Sequence, residues 1–358
     1  MNSDNSDLDY IIIGQGLAGS CLALQLLRRN KTIVVFDQPQ HNHSTAVAAG
    51  LFNPITGKML AKTWQADILF PYFYSFYQDA EVLLKKKFFF PMPMYRPFGS
   101  VEEQNEWMGR STQASMTEYL ETIYLSTRFA DQVHDPVGGI LLRHGGYVDT
   151  SIFVAAVRSL LKDAGVYEQK RFEEDALQER DGGIFYGRLF AKKIIYCGGV
   201  DDLQSGSFSW LPIKPLKGET LLIKMPPVNC IYNRGVYIVP GTIAGTYTVG
   251  STYDFDLSPE TTARGRTELE ARLKELIRLP YEVINQNWGI RPTTPDRRLL
   301  LGPHPIHKNR VIFNGLGTKG VSLAPYFSGH LAAWLEGESE ITPEVNIGRF
   351  KSLYSKFE

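Results

Sequence analysis

The sequence predicts an α/β protein. A doubly wound, parallel-sheet domain is left and re-entered by the chain, and an α+β second domain carries an antiparallel sheet. Three observations support this. An apolar strand near the start of the chain runs into a glycine-rich turn and a helix. Two later stretches, around 145–199 and from 288 onward, repeat that strand-and-helix texture. The intervening pieces read as short strands separated by turns.

The first element is Tyr10-Ile-Ile-Ile-Gly14-Gln-Gly16-Leu17-Ala18-Gly19, followed by Thr32-Ile-Val-Val-Phe-Asp37. It reads as strand, turn, helix over 18–29, second strand, acid. Four apolar residues before Gly14 fit a buried parallel strand. Gly14 permits a tight turn, Gly16 lets a pyrophosphate approach the backbone, and Gly19 lets helix and strand pack closely. The pyrophosphate would sit on the helix N-terminus, where free N–H groups and the dipole favour an anion. Asp37 lies 18 residues past Gly19, placed to accept hydrogen bonds from a ribose diol. This is a Rossmann-like dinucleotide fingerprint. Taken alone it does not choose between NAD and FAD.

Composition narrows the class. The chain has 358 residues, 43% hydrophobic and 21% charged, which fits two globular domains or one large composite. Its 38 basic and 38 acidic residues cancel, so no global field draws it to nucleic acid or an anionic membrane. Cys21, Cys197 and Cys230 show no metal or CxxC spacing and read as small core residues. The polar start, residues 1–9, is neither a signal nor a transit peptide. No apolar run reaches the length of a membrane span, and Pro71 interrupts the aromatic run 70–77. A cytoplasmic protein without bound metal is expected.

The remaining elements follow in order. A helix is predicted over 67–86, then strand-like segments around 88–101. A helix over 151–164 and a strand 191–197 rebuild the first domain. Strands at 219–224, 236–239 and 246–250 and a helix over 259–279 form the second. A strand at 310–313 and a helix over 321–335 return to the first. The expected dinucleotide domain is therefore 1–60, 144–212 and 285–358. The expected substrate domain is 61–143 and 213–284.

Three further segments favour FAD. Ser44, Thr45, Ala49, Gly50 and Leu51, in the segment 44–54, combine small side chains with hydroxyls that can reach phosphate. A plain helix N-cap would look the same. Cys197-Gly198-Gly199 ends a strand where doubly wound sheets bind ligands, though a simple turn is an equal reading. Gly315-Leu316-Gly317-Thr318-Lys319-Gly320-Val321-Ser322 is a glycine-rich turn opening a helix, a second site for negative charge such as the N1/O2 edge of a reduced flavin. Lys319 either adds to that site or is a solvated surface lysine.

The ordered set of motifs resembles the FAD-dependent D-amino acid oxidase superfamily, nearest its glycine oxidase and sarcosine oxidase branch. The residues carrying the resemblance are the fingerprint, the segment 44–54, Gly146-Tyr-Val-Asp149, Pro215-Leu-Lys217-Gly218-Glu219, Tyr237-Ile-Val-Pro240, Val249-Gly250-Ser-Thr252, Gly289-Ile-Arg291-Pro292, and the run from Gly315 to Pro325. The resemblance implies a glycine-oxidase-like fold and FAD, which is expected to be non-covalent because no histidine–cysteine arrangement supports covalent attachment. It implies oxidation of the C–N bond of an amino acid or secondary amine by hydride transfer to flavin N5, with O2 or another acceptor reoxidising the flavin. It assigns Arg291 to the substrate carboxylate, Phe172 to an adenine contact, the loop 316–322 to the pyrimidine edge, and makes Tyr237 a pocket candidate. Asp37 stands where the family usually has Glu. The segment 50–64, with Asn53-Pro-Ile-Thr-Gly-Lys58, faintly resembles the flavin domain of a tRNA wobble-uridine oxidase, but a structural loop near the flavin is the preferred reading. Competing expectations are a dehydrogenase with a non-oxygen acceptor, a tRNA-base oxidoreductase, or a flavoprotein without catalysis.

Overall fold

The computed structural model describes residues 6–39, 44–56, 61–180 and 182–354. Residues 1–5, and Gly57 and Lys58 of the segment singled out above, lie outside the described residues. The mixed α/β class expected from the sequence is observed. Parallel pairing joins Tyr167–Glu168, Ile33–Phe36, Ser6–Ile13, Leu189–Tyr196 and Arg310–Asn314, in that spatial order. An antiparallel hairpin, Leu177–Arg180 and Gly183–Tyr186, extends the sheet from Leu189–Tyr196. Ile11 and Ile12 in the central strand are fully buried, as a strand covered on both faces requires. Helices Leu17–Arg28 and Gly320–Leu335 pack together; a Cβ on Gly320 would lie 2.9 Å from Leu17 Cδ2.

A second sheet of eight strands runs Glu282–Thr293, Lys214–Lys224, Thr246–Gly250, Val236–Pro240, Ile231–Arg234, Met94–Pro97, Gly139–Leu142, Leu120–Tyr124. Its longest ladder pairs Lys214–Lys224 with Glu282–Thr293. The sequence reading starts the first of these only at 219, because Pro215 and Gly218 weaken strand propensity. The long partner strand overrides that local weakness. The expected boundary at 285 falls inside Glu282–Thr293, so residues up to Thr293 belong to the antiparallel sheet.

Two helices differ from expectation at their ends for identifiable reasons. The helix expected over 259–279 is Ala263–Leu276, because the Thr262 hydroxyl accepts from the Gly265 N–H and sets the start. The aromatic helix is Ala66–Leu84, closed by Lys85 in the left-handed region. It packs on the first domain: the Tyr77 hydroxyl donates to the Val321 carbonyl at 2.9 Å. Phe73, Tyr77 and Phe89 bury their rings beside it, joining both halves of the molecule in one core. No helix among the described residues is long and apolar enough to cross a membrane.

Candidate active site

One cavity of about 1970 Å3 runs from the carboxyl ends of the parallel strands to the inner face of the antiparallel sheet. That is roughly twice the largest common drug-sized pocket. Every residue the sequence singles out for cofactor or substrate lines it, from Gly14 and Gly16 to Ser322. The exception is Gly19, which lies beneath it in the helix packing.

At one end, Gly14 adopts φ +90°, and a Cβ there would approach the Cys197 carbonyl oxygen to 2.7 Å. A Cβ on Gly19 would run into the Gly14 carbonyl oxygen. The helix that follows has no side-chain cap at Gly16; the Leu17 N–H reaches only the Thr45 hydroxyl, at 3.3 Å. Thr45 thus borders the turn where an anion would sit. Gly50 has φ +62°, but its lack of a side chain serves the protein itself, since a Cβ would strike the Val148 carbonyl.

Asp37 is buried and already bonded. One carboxylate oxygen accepts from the Gln15 N–H at 2.9 Å, and the other from the Tyr167 hydroxyl at 3.1 Å, with Arg158 at 3.5 Å. Neither Tyr167 nor Arg158 was foreseen. Phe172 lies against Tyr186, with ring centres 4.9 Å apart, at the same end.

Between the two ends sits a polar knot missing from the sequence reading. Asp202 Oδ2 accepts from the Gly198 N–H at 3.0 Å and from Asn314 Nδ2 at 2.8 Å. Asn314 also donates to the Gly199 carbonyl at 2.7 Å and accepts from the Gly315 N–H at 2.6 Å. A Cβ on Gly198 would collide with the Asp202 carboxylate. The knot therefore ties the two glycine turns at 198–199 and 315–317 together. Burial pushes the Asp202 carboxyl up to about 7 from 3.8, against the two hydrogen bonds that favour its charged form. The fold thus holds the protonated form better than the unfolded chain does. The resulting stability is complete below about pH 3.8 and is lost as pH rises through 7. Asp202→Asn is expected to flatten the fall in melting temperature of the apoprotein between about pH 4 and 7. An unchanged slope in a pH series of thermal melts would place the titration elsewhere.

At the other end, Gly315 and Gly317 have φ +73° and +55°, and the Gly317 N–H donates to the Pro292 carbonyl at 3.0 Å. Helix Gly320–Leu335 begins here, also without a side-chain cap. Lys319 is half-buried, not a solvated surface lysine. Its ammonium donates to the hydroxyls of Thr56 at 3.0 Å and Thr63 at 3.3 Å, in the hairpin Ile55–Thr56 and Ala61–Lys62. Burial, then Arg297 and Arg298, lower its pKa.

Arg291 stands opposite Leu216 in the long ladder. Its guanidinium passes over the gap left by Gly218, where a Cβ would collide with it. It stacks on Tyr253 at 5.3 Å and donates weakly to the Thr252 carbonyl at 3.4 Å. No described carboxylate pairs with it. Tyr237 lies nearby, its hydroxyl 2.6 Å from where a Cβ on Gly250 would stand. Burial pushes Tyr237 up to about 12, so it is a neutral phenol at pH 7.

The geometry fits a long dinucleotide: glycines at the turns, two uncapped helix N-termini, and a carboxylate placed between them and the end that holds Phe172. A family model described as "FAD dependent oxidoreductase" matches residues 9–334. The bifunctional protein ThiO/ThiG of Trichormus variabilis is 23% identical over 353 residues, covering 91% of this chain and 52% of that protein. The tRNA 5-methylaminomethyl-2-thiouridine biosynthesis bifunctional protein MnmC of Marinobacter nauticus is 24% identical, covering 90% of this chain and 54% of that protein. The chain spans about half the length of the curated relatives it matches. The crystal structure of glycine oxidase from Geobacillus kaustophilus superposes with a TM-score of 0.78 at 17% identity, covering 96% of this chain and 98% of that one. The chain belongs to the DAO family of FAD-dependent oxidoreductases, and its cofactor is FAD.

Proposed function

We propose that this protein oxidises the C–N bond of a small amine or amino acid that carries a carboxylate, as a cytoplasmic enzyme using non-covalent FAD. The observation behind this reading is Arg291, a guanidinium facing the cavity with no described carboxylate to neutralise it. A free planar fork of donors suits a substrate carboxylate better than a lysine would. Bound flavin supplies the two-electron acceptor. The chain's own residues hold and orient. The turn Gly14–Gly19 and Thr45 take the pyrophosphate, and Asp37 takes the ribose beside Phe172. The segment Ala49–Leu51, the Cys197-Gly198-Gly199 turn and the loop 316–322 enclose the flavin half. Lys319 and the helix start at Gly320 would hold its pyrimidine edge, where their positive potential would favour added negative charge. Tyr237, neutral at pH 7, borders the amine, which reacts unprotonated. Likenesses to glycine oxidase and ThiO support the substrate class.

A second reading, favoured by the likeness to MnmC, places the amine on a modified tRNA base. Anaerobic mixing of the flavoprotein with a panel of amino acids and secondary amines tests the first reading. Bleaching of the flavin by at least one carboxylate-bearing amine is expected. Bleaching only by modified tRNA would move the assignment to the second reading. Bleaching by none would indicate a non-catalytic flavoprotein. Peroxide formation in air then separates an oxidase from a dehydrogenase.

A further inference from the structure

Bases line the whole cavity, but its acids are confined to one part of it. Its carboxylates are Asp37 and residues between 173 and 202, all toward the Asp37 and Phe172 end or the central knot. The stretch from Arg291 to Lys319 contributes no acid to the lining; besides Arg310, which is paired with Glu174 and Glu179, it contributes four cations, Arg291, Arg297, Arg298 and Lys319. In a chain whose charges cancel overall, this end is strongly cationic.

Arg298 is the most constrained of the four. Its guanidinium lies over the Trp64 ring at 4.2 Å, and Trp64 in turn stacks on Phe327 with centroids 5.7 Å apart and planes 4° apart. Its backbone is fixed as well. The Arg298 N–H donates to Asp296 at 3.0 Å, and its carbonyl accepts from the Thr294 hydroxyl at 2.6 Å. The neighbouring acid, Asp296, is committed to Arg349 at 2.8 Å. No described residue accepts a hydrogen bond from the Arg298 side chain. An aromatic stack holds a guanidinium in place without using its N–H donors. Arg297, exposed and at φ +57° in the same turn, adds a second unpaired charge.

We infer that Arg298, assisted by Arg297, is a second anion subsite, and that the substrate is an amine bearing two anionic groups. One would be the carboxylate at Arg291, the other a distal carboxylate or phosphate. This rests on the amine-oxidation reading of the same cavity. Lys319 is excluded from the subsite because its ammonium is committed to Thr56 and Thr63. A group held at two fixed cationic points would be oriented along the cavity, which is what transfer from a defined carbon requires.

Perturbation of the visible spectrum of the FAD-loaded protein reads binding without turnover. The ligands are succinate, glutarate and adipate, each against the monocarboxylate of equal chain length, with 3-phosphonopropionate as the phosphate-like arm. The series spans the unknown separation of the two anionic groups. At least one dianion is expected to bind tenfold or more tightly than its monoanionic partner. Arg298→Gln should abolish that preference while leaving monocarboxylate binding unchanged. Arg298→Met, which keeps apolar contact with Trp64, should do the same and serves where the glutamine variant does not fold. Preference for the phosphonate over the dicarboxylates would identify the distal group as phosphate. Equal binding of monoanions and dianions throughout overturns the inference, as does a preference that survives both variants. A folded variant that loses flavin would assign Arg298 to the cofactor and also overturn it. The underlying reading fails separately, when Arg291→Gln leaves monocarboxylate binding untouched.

Discussion

Arg291→Gln is expected to lower kcat/KM for a carboxylate-bearing amine by about 100- to 10,000-fold, with flavin content and melting temperature unchanged. The estimate follows from two charge-assisted hydrogen bonds, each worth about 1.5–3 kcal/mol, at tenfold per 1.4 kcal/mol. Stability should not change, because Arg291 gives the protein only a long hydrogen bond to Thr252 and a stack on the exposed Tyr253. Gly218→Ala makes an independent test from the neighbouring strand. Its methyl group would enter the space of the guanidinium, so the charge is kept but displaced. A smaller loss in the same direction is expected. Steady-state kinetics on a carboxylate substrate and on its decarboxylated amine separate the cases. If both substrates suffer equally from Arg291→Gln, the residue does not read the carboxylate.

Gly19→Ala should abolish flavin retention. The added carbon would meet the Gly14 carbonyl oxygen and lie 3.5 Å from Ile12 Cγ2, forcing helix Leu17–Arg28 off its strand. Neighbouring backbone leaves little room for relaxation, so a destabilisation of about 3 kcal/mol, the upper range for overpacking, is expected. The helix start and the Gly14 turn then no longer face one point, and phosphate binding is lost with them. Purified variant protein should lack visible flavin absorbance and melt well below the parent. Gly109→Ala is the control. A Cβ there meets nothing within 4 Å, and the residue lies inside helix Val101–Ser111. It should keep its flavin and gain up to about 1 kcal/mol of stability. Flavin retained by Gly19→Ala would sink the packing argument.

These two sites mark where the sequence was most legible. Gly14 and Gly19 are constrained by local packing and Asp37 stands at a fixed spacing from them, so pattern reading singles them out. Arg291 was found through its Gly-x-Arg-Pro setting, although its strand was not: Glu282–Thr293 exists because Lys214–Lys224 pairs with it, and neither strand is strong alone. The Asp202–Asn314 knot was invisible for a different reason. Its members come from two distant glycine turns and carry no periodic signal. The Phe327–Trp64–Arg298 stack likewise joins three segments far apart in sequence. A tryptophan just after a Pro- and Gly-containing stretch is only a faint hint of such a role. Gly50 is read from the sequence as making room for the cofactor, whereas in the structure the space its side chain would need is filled by the Val148 carbonyl.

The pairing of Arg310–Asn314 with Leu189–Tyr196, itself beside Ser6–Ile13, has a consequence for biosynthesis. The fingerprint turn precedes Lys319 and the second helix start in the sequence, so it emerges from the ribosome before them. On the proposed assignment of the site, a nascent protein lacking them would hold at most the adenine half of the cofactor. Capture of FAD must then follow completion of the central sheet, a step governed by contacts of high sequence separation and therefore slow. Ligand binding afterwards favours only the finished fold, so flavin supply would control how much of the protein survives proteolysis.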